Sequence, residues 1–162
     1  MTDSTAELTQ RLERSRVSLM QSIAGMDEET FRRRAGAGEW CAAEVLAHLL
    51  GHEQRFMWLA NEALTRERPS VQSRGGGQQT EEAKAAQRML VPQIVHGLLA
   101  QRRETLQLLA GLSPEQLARS LVHSRSGDVN VGWLFQRIID HETEHAAQIT
   151  AMRAETAGAP AT

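Results

Sequence analysis

The stretch VGWLFQRIIDHETEHAAQITAMRAET, residues 131 to 156, holds no proline and sets its apolar residues at helical spacing. At about 100° per residue, Leu134, Ile138, His141, His145, Gln148 and Met152 fall on one narrow stripe, the core-facing side of an amphipathic helix. Two imidazoles one turn apart on that side are costly unless their nitrogens are hydrogen-bonded or hold a metal. The pair therefore points to a metal, and because one helix supplies only two such ligands, a third must come from elsewhere. Zinc proteases with an H-E-x-x-H helix take theirs from downstream. Here 17 residues follow His145, and Glu155 lies ten residues on along the same helix, about 15 Å along its axis. The protease reading fails on that distance, so the third ligand is sought upstream.

Upstream, Leu, Ala, Glu, Gln and Arg dominate, tyrosine is absent and aromatics are 4% of the chain, so strand signals are nearly missing and the expected fold class is all-α. Three further helical runs, about 5–25, 41–66 and 78–110, join 131–156 in a four-helix bundle with long crossover loops, one domain over residues 1–162. Asp27 caps a short turn in the first crossover, and Ser113, Pro114 and Gln116 form a capping-box pattern for another. Pro92 inside the third run predicts a kink or a helix that begins near it. Pro69 and the glycine triplet 75–77 predict a mobile loop, Gly127 a left-handed residue in the loop HSRSGD, and GAPAT a frayed tail.

A net charge of -2 with 23% charged residues leaves no excess of Lys and Arg to advertise nucleic acid or an acidic membrane surface. The single cysteine, Cys41, excludes an internal disulfide framework and an all-cysteine zinc site, which suits a reducing cytosol. No stretch resembles a signal peptide or a membrane span, so a cytoplasmic protein is expected, with a small-molecule substrate and a second copy of the chain in a homodimer as partners. Cys41 itself takes the N-cap of the second helix, with Glu44 three residues on. It reads as a small residue filling a cap, because no His or Lys adjoins it to activate a thiolate.

Four histidines lie upstream of the pair: His48, His52, His96 and His123. His48 and His52 are themselves one turn apart, on a face shared with Val45, Arg55, Phe56 and Leu59, and either can point into the bundle as the ligand from a facing helix. The surroundings of His48, VLAHLL, are the more consistently apolar. His96, close to Pro92, reads as a packing or helix-end residue, and His123 as a solvated loop residue. Glu142 and Glu144 flank the histidine stripe and read as exposed, salt-bridged residues. Arg55, about two turns beyond His48, is placed either to bind a substrate carboxylate or to reach solvent.

Two segments carry a resemblance. EWCAAEVLAHLLGHE, residues 39 to 53, resembles the start of the second helix in the DinB/YfiT-like superfamily, with a tryptophan, a capped helix start and a metal histidine a short way in. GDVNVGWLFQRIIDHETEHAAQI, residues 127 to 149, resembles that family's last helix, with its H-x-x-x-H-x-x-Q ending. The resemblance implies a four-helix bundle and a metal held by His48, His141 and His145, with Gln148 as the trailing glutamine and His52 as an extra imidazole nearby. It further implies a divalent metal, zinc or nickel first, and thiol-dependent S-transfer with a low-molecular-weight thiol co-substrate. A metal-dependent hydrolase and a non-catalytic dimeric helical binding module are the alternatives. Metal content separates the last of these from the enzymes.

Overall fold

The computed structural model describes residues 3–72 and 81–158. The glycine triplet and the tail from residue 159 lie outside them. Four long helices form the bundle: α1 (Thr5–Ile23), α3 (Ala42–Thr65), α5 (Val91–Ala110) and α7 (Val131–Gly158). Three short ones sit in the crossovers: α2 (Glu28–Arg32), α4 (Glu81–Ala86) and α6 (Pro114–Leu117). No described helix is long and apolar enough to cross a membrane.

The helix starts follow the local chemistry of their caps. Ser4 N–H donates to Glu7 at 2.7 Å in a capping box before α1, and the Asp27 carboxylate accepts from Thr30 N–H at 2.8 Å before α2. Glu44 accepts from the Cys41 N–H at 2.9 Å, and Asn130 accepts from Trp133 N–H at 2.8 Å in the first turn of α7. The run expected over about 78–110 is two helices. Pro92 falls in the first turn of α5, where its missing N–H removes no bond, so the chain ends one helix and starts another.

The structure adds a small sheet to the expected all-α bundle. β1 (Ser70–Val71), β2 (Ser120–His123) and β3 (Gly127–Asn130) form it in that order. β1 pairs in parallel with β2, and β2 pairs antiparallel with β3, with Leu121 opposite Val129 and His123 opposite Gly127. Gly127, at φ +71°, supplies the left-handed residue of the turn. Leu121 and His123 alternate inward along β2, so His123 is buried and not solvated.

Around the bundle, α1 touches α5 and α7, and α3 touches α5 and α7, so α1 and α3 occupy opposite corners. Arg16 reaches the Leu98 carbonyl and Arg102 that of Leu12, which sets α1 antiparallel to α5. Ser15 meets Glu142 and Ser22 meets Arg153, so α1 and α7 run parallel. His48 lies by His145 and Phe56 by Trp133, so α3 opposes α7. The sense is up, down, down, up. Because α3 and α5 descend together, the chain between them must return along the bundle, and α4 on that return packs against α3. Gly51 makes the docking possible: a Cβ there would come 2.3 Å from the Glu82 side chain.

The apolar core is in two parts. One gathers Leu19, Ile23, Leu46, Ile94 and Ile149, the other Leu8, Leu12, Leu109, Leu134 and Phe135. Between them lies a layer of four buried charges, one from each bundle helix: Arg16, Glu53, Arg102 and Glu142. Arg16 donates to Glu142 at 2.7 Å and to Glu53 at 2.8 Å; Arg102 donates to Glu53 at 2.8 Å and to Glu142 at 3.0 Å. Two cations and two anions close a neutral ring, and Ser15 adds a hydroxyl to Glu142. Glu142 is thus a buried residue of the bundle interior, in contrast to the exposed position its spacing from the histidines suggested. Glu144 is exposed and paired with Arg137, as expected.

Candidate metal centre

The antiparallel contact of α3 with α7 brings His48 opposite the pair His141 and His145. His141 Nε2 lies 3.1 Å from His48 Nε2 and 3.0 Å from His145 Nε2, and the three nitrogens all fall within 4.8 Å of one another. Three nitrogens on a tetrahedral ion with bonds of about 2.0–2.1 Å stand about 3.3 Å apart, close to the two separations from His141. The donor chemistry fits as well. His145 Nδ1 donates to Gln148 Oε1 at 2.6 Å, which leaves the lone pair of His145 on Nε2, facing the cluster. His141 Nδ1 is buried without a hydrogen-bond partner among the described residues, so that ring depends on its Nε2 side for polar stabilisation. These three residues could hold a divalent metal.

His52 stands beside the cluster and outside it. Its ring stacks on Phe56 at 4.1 Å and lies 3.8 Å from that of His141. Ring contacts continue in both directions: Phe56 to Trp133, Trp133 to His123, and, at the other end, His48 to Trp40 at 4.8 Å. Two of the chain's three tryptophans therefore line one aromatic wall with the histidines. Arg55 places its guanidinium 4.8 Å over the Trp58 ring and donates to the Gln72 carbonyl at 2.7 Å. His96 is exposed on α5 and takes no part. Cys41 is buried at its cap, and that burial raises its thiol pKa, the opposite of a reactive thiolate.

Burial lowers the pKa of His48 to about 4, of His52 to about 3 and of His141 to about 2, with neighbouring imidazoles adding to the effect. All three are neutral at pH 7, the state a metal ligand needs. The linkage has a definite sign. From about 6.5 downward the unfolded chain takes up protons that the folded chain refuses until about 4 or below, so stability falls as pH falls through that window. Chelator-treated protein is accordingly expected to melt at a lower temperature at pH 5 than at pH 7. A melting temperature unchanged between pH 7 and pH 5 would contradict the burial of these rings.

The sequence matches the profile of the DinB superfamily over residues 11–149. The chain belongs to the DinB superfamily. YfiT from Bacillus subtilis, described as a probable metal-dependent hydrolase with an unusual four-helix bundle topology, superposes with a TM-score of 0.79 at 19% identity, over 96% of this chain and 89% of its own. An uncharacterized protein from Clostridium difficile 630 gives a TM-score of 0.73 at 11% identity, over 95% of this chain and 98% of its own. A Streptococcus pneumoniae protein gives 0.70 at 13%, over 95% and 92%. No curated protein matches the sequence. At such identities the likeness to this DinB chain is one of fold.

Proposed function

We propose that this DinB-superfamily chain is a metal-dependent enzyme that holds a divalent ion, zinc or nickel, through His48, His141 and His145 and transfers a low-molecular-weight thiol onto a small electrophile. The convergence of three Nε2 atoms, with that of His145 fixed as a lone pair by Gln148, carries the reading. An ion on three imidazoles supplies Lewis acidity that lowers the pKa of a thiol or water reaching its open position. The remaining tasks belong to the chain. Gln148 holds one imidazole in its tautomer, Trp40 and Phe56 cover the histidine rings, and His52 lines the wall without joining the cluster.

Thiol transfer is preferred to hydrolysis for a reason found on α7. Glu142 is turned into the charge ring and Glu144 outward to Arg137, so neither acid flanking His141 serves as a base for water. A thiol needs no such base: its proton passes to solvent as the thiolate forms, its sulfur bonds to the electrophilic carbon, and the bond from that carbon to the leaving group breaks, the leaving group departing with the electron pair. Hydrolysis is the second reading, supported by the description of YfiT as a probable metal-dependent hydrolase. The proposal includes a cytoplasmic homodimer, for which a groove lined by Phe31, Pro92, Val95 and Leu99 offers apolar surface.

The test uses tag-free protein loaded with cobalt. Titration with 2-mercaptoethanol is expected to produce a sulfur-to-cobalt charge-transfer band, and the Cys41→Ser variant to give the same band. An unchanged spectrum at millimolar thiol would remove thiol transfer and leave hydrolysis or a non-catalytic role.

A further inference from the structure

On α7 the position one turn before His141 is Arg137, about 6 Å from it along the helix axis and on the same stripe to within about 40°. Arg137 thus shares the side of α7 that presents His141 to His48. Yet its carboxylate partner is loosely held. One guanidinium nitrogen meets Glu144 at 3.4 Å, with the two side chains 36% and 63% exposed, a long surface pair that an incoming anion can displace. Arg55, on the facing helix, is by contrast engaged with the Trp58 ring and the Gln72 carbonyl.

We propose that Arg137 binds a carboxylate of the substrate, so that the site takes small anionic molecules, and that Glu144 holds the guanidinium until the substrate carboxylate replaces it. The proposal rests on the metal-site reading above. The planar fork of an arginine matches a carboxylate through two parallel hydrogen bonds, a geometry its single contact with Glu144 leaves unused.

The test compares three thiols on the cobalt-loaded full chain, read by the charge-transfer band: 3-mercaptopropionate, neutral 2-mercaptoethanol and cationic cysteamine. The acid is expected to bind about tenfold tighter than the neutral thiol, with the cation weakest, the size of effect a charge-assisted hydrogen bond gives. Arg137→Gln should abolish the preference, Arg137→Lys should restore part of it, and Glu144→Gln should increase it, a pattern a merely structural pair would not produce. Equal affinities, or a preference that survives Arg137→Gln, overturn the proposal and leave the metal reading standing. If no thiol gives a band, the thiol reading fails instead, and the shift of the cobalt d–d bands by acetate against acetamide, with and without Arg137, decides the proposal in the same way. A chain that binds no cobalt overturns both.

Discussion

Alanine at His141 is expected to strip the chain of bound divalent metal, lowering affinity by well over the roughly 10–100-fold that loss of an outer partner of a ligand costs. His141 is the residue whose Nε2 approaches both of the others, at 3.1 and 3.0 Å, so its removal leaves two imidazoles with no common neighbour. His48→Ala and His145→Ala should act similarly. His52→Ala should keep near-stoichiometric metal, because its ring stacks on Phe56 and stands outside the cluster. Elemental analysis of tag-free protein reads all four, and helical circular dichroism should survive in each, since the apolar cores do not include the ligands. Full metal in His48→Ala together with loss in His52→Ala would reassign the third ligand to His52.

Removing one member of the buried charge ring should cost the fold itself about 3–5 kcal/mol, as breaking a buried pair from one side does. Arg102 is the member to test. Its side chain is 5% exposed and donates to Glu53, to Glu142 and to the Leu12 carbonyl. In Arg102→Met two buried carboxylates are left to share Arg16 alone. The urea midpoint should fall with little change in the denaturant slope. Adding Glu53→Met should recover much of the loss, because the remaining Arg16 and Glu142 then form a neutral pair at 2.7 Å. A cost below about 1 kcal/mol for Arg102→Met, the range of exposed pairs, would show that the ring contributes no more than a surface network.

Three of the four long helices were legible from spacing to within a few residues, while the run expected over 78–110 merged α4 with α5. His141 and His145 stood out as a stripe on one helix, whereas His48 and His52 were equal by spacing and were separated only by the apolar surroundings of His48 and the family resemblance. Glu142 was not legible, because its angle was judged from the histidine stripe alone. In this bundle α7 packs against both α1 and α3, and the arc it buries is wide enough to include Glu142 beside His141. A signal was present elsewhere: Arg16 interrupts the apolar series Leu8, Leu12, Leu19, Ile23, and Arg102 interrupts Leu98 and Leu109. Charges at core positions on two helices call for buried acids on the others. The sheet escaped notice because its strands span two to four residues, too few to register against a helix-rich composition. His123 was hidden with it, since only pairing turns Leu121 and His123 to the same side. Trp40 and Trp133 join the wall through tertiary packing, which residue spacing along one helix does not express.

The return segment between α3 and α5 has a consequence for how such a scaffold diversifies. α4 rests against α3 beside the first metal-site helix, where Gly51 admits Glu82, and its neighbours Ala83 and Lys84 share a cleft with Trp40, the residue that covers His48. This segment contributes nothing to the charge layer, every member of which comes from a bundle helix. Its exposed positions are therefore free to accept substitutions while the charge layer stays as it is. Descendants of one ancestral bundle can in this way acquire different substrates by rewriting a wall and leaving the foundations alone.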